Sequence, residues 1–163
     1  MTRITNYTTI PQGPSQWCWA CAGTAISQHY PAPKYSQPCD LVNDELNQTT
    51  CCQDGSTTTC NQPWYLDTTL KRTGNFSSTT PRSLILAEIK QEIDADRPIG
   101  VRIEWGDGSG HFVVLGGYDD TLLPGNDEVA VFDSLYGDAP ASLTQFTSAY
   151  LGSGRWTDTY FTT

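Results

Sequence analysis

Charged residues are scarce in this sequence of 163 amino acids, where they form 17% of the chain. An average soluble domain has roughly 25%. Basic residues are the rarer kind, with 9 Lys and Arg against 18 Asp and Glu and a net charge of −9. The chain therefore has no basic stripe that could follow a phosphate backbone, and we expect no binding to nucleic acid.

Long apolar runs are missing as well. No stretch approaches the roughly 20 apolar residues that a membrane-spanning helix needs. The first residues, MTRITNYTTIPQ, lack the apolar core of a secretory signal. We therefore expect no membrane span, and no export signal within this chain. Hydrophobic residues at 37% and aromatic residues at 11% are still sufficient for a buried core, so wholesale disorder is excluded.

Helical patterns come first in the sequence and strand patterns follow. Helices are predicted at 16–30, 40–48, 61–73 and 80–97, strands at 99–105, 111–118, 128–133 and 155–161, and a short helix from Ser142 between the last two strands. This order predicts an α+β fold. We expect one domain over residues 1–163, with a helical lobe near 1–97 and a β lobe near 98–163.

Cys18 is the strongest candidate for a nucleophile. It lies in the first turn of the first predicted helix, where the helix macrodipole and unpaired backbone N–H groups favour a thiolate. A thiolate needs a general base, and the sequence contains two histidines. His29 lies about three turns, roughly 16 Å, along the same helix and cannot reach Cys18. His111 begins a predicted buried strand after the sequence GDGSG and is the better candidate.

Asp133 is the candidate partner of that imidazole. It ends the predicted strand EVAVFD and precedes a turn. If the two strands are antiparallel neighbours, His111 and Asp133 lie side by side at one end of the sheet. A carboxylate in that position can orient the imidazole ring for nucleophilic catalysis.

These three segments resemble those of papain-like cysteine peptidases. Residues 12–20, Q-x5-C-W-A, are similar to the active-site segment, GHFVVLGGY is similar to the histidine strand, and VFDSLYG is similar to the segment of the third catalytic residue, with Asp where papain has Asn. The resemblance is strongest to the small bacterial papain-like peptidases related to type III effector proteases of plant pathogens. Their shared patterns are found here at residues 16–20, 37–40, 51–52, 60–61 and 154–161.

The resemblance implies a papain-like fold, in which a helical lobe packs on an antiparallel β lobe with the active-site cleft between them. It implies Cys18 as the nucleophile, His111 as the base and Asp133 as the residue that orients the base. Gln12 would complete an oxyanion hole together with the Cys18 N–H, and Gln16 is a rival donor.

Two tryptophans are candidates for lining the substrate cleft. Trp19 would pack behind the nucleophile, and Trp105 precedes the GDGSG loop on the leaving-group side. The implied reaction is hydrolysis of a peptide bond through a thioester, with a protein or peptide as the partner, a monomeric enzyme and neither metal nor other cofactor. A deamidase, a transglutaminase-like or other acyl-transfer enzyme or toxin, and a binding module without catalysis remain alternatives.

The six cysteines all lie in the first 60 residues. Cys18 must be free to react. Relatives often place a cysteine four residues after the nucleophile, whereas here Cys21 lies three residues after it, so we treat Cys21 as a free thiol.

Four cysteines remain to form two disulfides, and they are Cys39, Cys51, Cys52 and Cys60. Neighbouring cysteines rarely bond to each other. The pairings left are Cys39–Cys51 with Cys52–Cys60, or Cys39–Cys52 with Cys51–Cys60. Disulfides form in oxidising compartments, so we expect a secreted or periplasmic protein, or one delivered into another cell.

Overall fold

The computed structural model describes residues 1–121, 123 and 125–163, in which five helices and seven strands are found. The helices are α1 (Cys18–His29), α2 (Pro38–Leu46), α3 (Leu66–Thr73), α4 (Leu86–Asp94) and α5 (Leu143–Ala149). The strands are β1 (Thr2–Arg3), β2 (Phe76–Thr80), β3 (Ile99–Glu104), β4 (Gly110–Asp119), β5 (Glu128–Phe132), β6 (Ala139–Ser142) and β7 (Arg155–Thr162). The predicted α+β class is confirmed.

The strands form one antiparallel sheet in the order β2-β7-β3-β4-β5-β6. β4 is central because β3 and β5 pair with it on either side. β1 pairs with the far end of β4, at Gly117 and Tyr118. The predicted neighbours, the strand of His111 and the strand that leads to Asp133, are therefore adjacent and antiparallel.

Helix α1 is the buried centre of the helical part. Its residues from Cys18 to Ser27 are all buried, and it packs against α2, α3 and β4. Gly23 allows α3 to come close, because a Cβ atom there would lie 2.4 Å from Cγ2 of Thr69. Because α1 also packs on β4, the helix that begins at Cys18 lies directly against the strand that begins at Gly110.

The prediction of a helix over residues 80–97 is wrong at its start. Thr80 ends strand β2 and pairs with Thr159 of β7, and α4 begins only at Leu86. Glu88 sets this later start, because its carboxylate accepts hydrogen bonds from the N–H of Ile85 at 3.0 Å and from Arg82. The third helix also starts later than predicted, at Leu66, but ends as predicted at Gly74, which has a φ of 85°.

Strands β1 and β2 join the sheet although both precede residue 97. A division near that residue therefore separates most of the helices from most of the strands, but the first part of the chain contributes to both. Strand β6 was not predicted, and it pairs with β5 at the sheet edge. None of the helices in the described part of the chain has the length and apolar character needed to cross a membrane.

The structure contains the second of the two disulfide pairings. Cys39 is bonded to Cys52 and Cys51 to Cys60, while Cys18 and Cys21 are free and buried. The first bridge ties α2 to the segment that follows it, and the second closes a loop within that segment.

Candidate active site

Cys18 is the first residue of α1, directly after Trp17. The N–H of Trp17 donates to the carbonyl of Pro14 at 3.2 Å, which turns the chain into the helix. As the first helical residue, Cys18 has an N–H group with no helical carbonyl four residues earlier to bond to. Its thiol and its N–H are both presented at the positive end of the helix macrodipole.

The disulfide-bonded loop holds the beginning of this helix. The indole N–H of Trp17 donates to the carbonyl of Cys60, and that of Trp19 to the carbonyl of Gln62, each at 2.9 Å. Gly55 packs on the ring of Trp17 so closely that a Cβ atom there would lie 2.6 Å from two ring carbons. Trp17 is therefore fixed to the loop that Cys51 and Cys60 close covalently, and Trp19 is fixed to the segment just after that loop.

His111 lies at the start of β4 and is only 4% exposed. Its Nε2 is 2.8 Å from Oδ1 of Asp133. Nδ1 is therefore the ring nitrogen left for Cys18. The indole of Trp105 lies against one face of the imidazole, with centroids 6.3 Å apart and planes 23° apart, and Tyr136 contacts the ring edge-on.

The imidazole of His111 is protonated near neutral pH. Burial lowers the pKa of His111, but hydrogen bonds to Asp133 and Cys18, together with the charges on both residues, outweigh burial and raise this pKa to about 9. The site therefore holds an imidazolium group between the carboxylate of Asp133 and the sulfur of Cys18.

Asp133 accepts four hydrogen bonds in a buried position. Its Oδ1 accepts from His111, from the N–H of Leu135 at 2.8 Å and from the N–H of Tyr136 at 3.0 Å. Its Oδ2 accepts from the hydroxyl of Tyr150 at 2.8 Å. Burial raises the pKa of Asp133, but the bonds from His111 and the two backbone N–H groups outweigh it, so the pKa is lowered and the carboxylate is ionised.

Sequence reasoning did not find Tyr150. It follows α5, and its hydroxyl reaches Asp133 only because α5 packs against β6 and β7. Burial and the bond to Asp133 raise the pKa of Tyr150. The phenol therefore stays protonated, and its O–H donates a hydrogen bond to Asp133. The bonds from Leu135 and Tyr136 could have been predicted, because an aspartate at the start of a turn commonly accepts from N–H groups two and three residues later.

Gln12 is joined to the turn that follows Asp133. Its N–H donates to the carbonyl of Ser134 at 2.9 Å, and its Oε1 accepts from the Ser134 hydroxyl at 2.9 Å. Its Nε2 donates to the carbonyls of Pro14 and Ser15, at 3.3 and 3.1 Å. The segment that leads into α1 is thus tied to the turn that carries Asp133.

A pocket of about 210 Å³ lies beside Cys18. Gln16, Trp64, Arg102 and Phe112 contribute to its lining, and the fully buried Trp19 lies at its base. Trp105 does not line this pocket, since it covers the imidazole of His111. Of the two candidates for the cleft, Trp19 therefore lines this pocket, and Trp105 lies against His111 instead.

The structure also shows the surroundings of His29, the second histidine, and of Cys21, the second free cysteine. His29 is remote from Cys18, and its Nε2 is 2.7 Å from the carbonyl oxygen of Asp96. Cys21 is buried one turn after Cys18, and burial together with the neighbouring Cys18 raises the pKa of Cys21 to about 12. Cys21 is therefore a neutral thiol at physiological pH.

One cluster of potential metal ligands is found within residues 1–121, 123 and 125–163, formed by Cys39, Asp40 and Cys52. The two sulfur atoms are bonded to each other in a disulfide. A metal ion needs deprotonated thiolates, so this cluster does not fit one.

A model of the Peptidase_C39 like family matches residues 4–160, which is nearly the whole chain. No curated protein matches the sequence. Among solved structures, the crystal structure of the Pseudomonas avirulence protein AvrPphB is similar at 12% identity with a TM-score of 0.34, and the match covers 76% of this chain and 70% of that one. The family match confirms the predicted relation to cysteine peptidases.

Proposed function

The chain belongs to the Peptidase_C39 like family, and on that premise we propose that this cysteine peptidase is an endopeptidase in which Cys18 is the nucleophile, His111 the general acid and base, and Asp133 the residue that orients His111. One observation carries the proposal. The buried His111 is bonded to Asp133 at 2.8 Å through Nε2, and its Nδ1 is left for the cysteine at the start of α1.

Acylation begins from the thiolate of Cys18 and the protonated imidazole of His111. The sulfur attacks the carbonyl carbon of the scissile peptide bond and forms a tetrahedral adduct with a negatively charged oxygen. The adduct collapses when the imidazolium gives its proton to the leaving amine nitrogen, and the C–N bond breaks. The products are a thioester on Cys18, a free amine and a neutral imidazole.

Deacylation uses the neutral imidazole as a base. His111 takes a proton from water while the water oxygen attacks the thioester carbonyl. Collapse of the second adduct breaks the C–S bond, releases the carboxylic acid and restores the pair of Cys18 and protonated His111. Throughout, the carboxylate of Asp133 fixes the ring through Nε2 and favours its protonated form.

The oxyanion would be bound by the N–H of Cys18 and the side-chain amide of Gln12. The proposal is supported by the unpaired N–H at the start of α1 and by the fixed position of Gln12 against Ser134. In this role Nε2 of Gln12, which donates to the carbonyls of Pro14 and Ser15, would turn towards the developing oxyanion. One such donor contributes roughly 3 kcal/mol to the transition state.

The two disulfides favour a site of action in an oxidising compartment, outside the cell or in a periplasm. The loop closed by Cys51 and Cys60 is attached to Trp17 through the carbonyl of Cys60, and Trp19 is attached to Gln62 just after the loop. We propose that this protein acts there on protein or peptide substrates as a monomer.

The test is incubation of the purified protein with a peptide library, followed by mass spectrometry of the products. We expect new chain ends in the wild type, none in Cys18→Ala, and retained cleavage in Cys21→Ala, the matched change of the neighbouring cysteine. Release of ammonia without new chain ends would overturn the peptidase proposal in favour of a deamidase. Cleavage by Cys18→Ala would overturn the assignment of the nucleophile.

A further inference from the structure

The pocket beside Cys18 contains one charged side chain within a lining that is largely aromatic. Trp64, Phe112 and Tyr160 form much of its wall, and Arg102 is the charged residue. Arg102 lies in β3, directly opposite Phe112 of β4, and its side chain is 27% exposed. A cation in such a pocket can bind a substrate group of negative charge.

The guanidinium of Arg102 is held by one of its nitrogens. Nη1 donates to Glu104 at 3.1 Å and to the hydroxyl of Thr157 at 3.0 Å, and it lies 3.8 Å from Asp158. No residue in the described part of the chain accepts a hydrogen bond from Nε or Nη2. These two nitrogens form the edge of a guanidinium that binds a carboxylate through two parallel hydrogen bonds.

Gly110 lies beside that edge and has no side chain that could cover it. A Cβ atom at Gly110 would lie 3.1 Å from both Nε and Nη2 of Arg102, so any larger residue would press on the guanidinium. Gly110 is also the residue immediately before His111. The open edge of Arg102 is thus close to the group that acts in catalysis.

The part of the wall formed by Trp64 is fixed as well. The indole N–H of Trp64 donates to Oε2 of Glu45 at 3.1 Å, and Oε1 of Glu45 is paired with Arg72 at 2.8 Å. Because the Glu45 side chain is 2% exposed, this anchor is buried. The pocket therefore has a fixed aromatic side chain, Trp64, and a positioned cation, Arg102, before any substrate binds.

We propose that this pocket binds an acidic side chain, Glu or Asp, of the substrate, with its carboxylate on Nε and Nη2 of Arg102 and its methylene groups against the aromatic wall. The proposal rests on the proposed function, because it places a peptide at Cys18, and it names the class of substrate. Glu104 and Asp158 hold Nη1 and set the orientation of the guanidinium, and they leave the carboxylate-binding edge unoccupied.

The experiment uses pairs of peptidyl chloromethyl ketones, which alkylate an active-site cysteine without any peptide hydrolysis. Each pair is identical except for Glu or Gln at the first, second or third residue from the ketone. The rate of alkylation of Cys18 is measured by mass spectrometry. At one of the three positions, we expect the Glu compound to react about tenfold faster than the Gln compound, the effect of one charge-assisted pair.

Two variants locate this preference. In Arg102→Gln the Glu-to-Gln ratio should fall to about one, because a glutamine lacks the cationic edge. In Arg155→Gln, the matched loss of an exposed arginine that also contacts Glu104 at 3.4 Å, the ratio should stay as in the wild type. If Arg102→Gln does not fold, Gly110→Ala gives a second test, since it keeps the arginine and obstructs its edge.

Equal rates for all three pairs in the wild type, or no alkylation by any of them, would overturn the proposal. A Glu preference that survives in Arg102→Gln would overturn the role of that residue. Peptide cleavage without a Glu preference would leave the proposed peptidase in place and remove only this inference. A Glu preference in alkylation without cleavage of any peptide would remove the peptidase proposal and leave the pocket assignment.

Discussion

Cys18 and Cys21 lie one helical turn apart, but their surroundings affect the reactivity of the two thiols in opposite ways. Cys18 lies at the helix start beside protonated His111, whereas burial raises the pKa of Cys21 to about 12. We expect iodoacetamide at neutral pH to label Cys18 much faster than Cys21, as read by peptide mass spectrometry. His111→Ala should slow the labelling of Cys18 and leave that of Cys21 unchanged. Equal labelling of the two cysteines in the wild type would contradict activation of Cys18.

Asp133 can be tested by the hydrogen bonds that each replacement retains. In Asp133→Asn the carbonyl oxygen can still accept from His111 and the backbone, and the new amide can donate to the oxygen of Tyr150. In Asp133→Ala all four bonds are lost. We expect Asp133→Ala to lower kcat/KM about 10- to 100-fold, the loss of a charged hydrogen bond, and Asp133→Asn to lose less.

The control for this pair is Asp67→Asn, which changes a partly exposed carboxylate on α3 that pairs with Lys71. It should leave kcat/KM unchanged. Full activity in Asp133→Ala would show that another residue orients His111.

The pH dependence of the reaction follows from His111. Its pKa is raised to about 9, so the imidazolium is present at lower pH and is lost as the pH rises through about 9. We expect kcat/KM, which reports the free enzyme, to fall on that alkaline side. In Asp133→Ala the fall should move to lower pH, because the hydrogen bond and charge that raise this pKa are gone. An alkaline limit that stays in place in this variant would assign it to a different group.

The residues proposed here as catalytic could be selected from the sequence because each lies in a local pattern. Cys18 starts a helix, His111 starts a buried strand, and Asp133 ends another. Tyr150 could not be found in this way, because its bond to Asp133 depends on how α5 packs against the sheet. The contact between Gln12 and Ser134 likewise joins residues that are distant in sequence, and no spacing rule predicts it.

At the scale of elements, the loop closed by Cys51 and Cys60 is part of the support of the active site. Gly55 in this loop packs on Trp17, directly before the nucleophile. Gly55→Ala would place a Cβ atom 2.6 Å from the indole ring. We expect a destabilisation of about 1–3 kcal/mol, the cost of overpacking, seen as a lower melting temperature, together with slower alkylation of Cys18.

The matched control is Gly106→Ala, where a Cβ atom meets nothing within 4 Å. This variant should melt as the wild type does. If the two variants had the same melting temperature, the loop would accommodate the added methyl group without loss of stability. The proposed support of Cys18 by this loop would then be refuted.

Elements with strong local patterns were predicted well, and those that depend on pairing were not. α1, β3, β4, β5 and β7 are found close to the predicted positions. β2, with the sequence FSSTT, has no apolar alternation and is a strand because it pairs with β7 at the sheet edge. β6, with the sequence APAS, contains a proline and is likewise an edge strand. Such strands are specified by the neighbouring strand more than by their own residues.

At the scale of the whole molecule, several separate contacts join the N-terminal segment and α1 to the sheet strands that carry His111 and lead to Asp133. The segment before α1 bonds to the turn after β5 through Gln12 and Ser134, and the N–H of Ile4 donates to the carbonyl of Gly116 in β4. α1 itself packs on β4. Cys18 and His111, which belong to different parts of the chain, are therefore held together from both sides.

The last prediction concerns the opposite redox needs of the nucleophile and the framework. Cys18 must be reduced to act, whereas Cys39–Cys52 and Cys51–Cys60 must be oxidised to fix the loop on Trp17 and Trp19. Bridges that span 13 and 9 residues should each contribute about 2–3 kcal/mol to stability.

We therefore expect activity to be highest in mild reductant and to fall in strong reductant together with the melting temperature. The intact mass of the native protein should be four hydrogens below that of the reduced chain, which corresponds to two bridges. The double variant Cys51→Ser/Cys60→Ser should melt lower than the wild type in the absence of reductant and respond less to its addition. A native protein with the fully reduced mass, and a melting temperature that ignores reductant, would refute both the bridges and the oxidising compartment inferred from them.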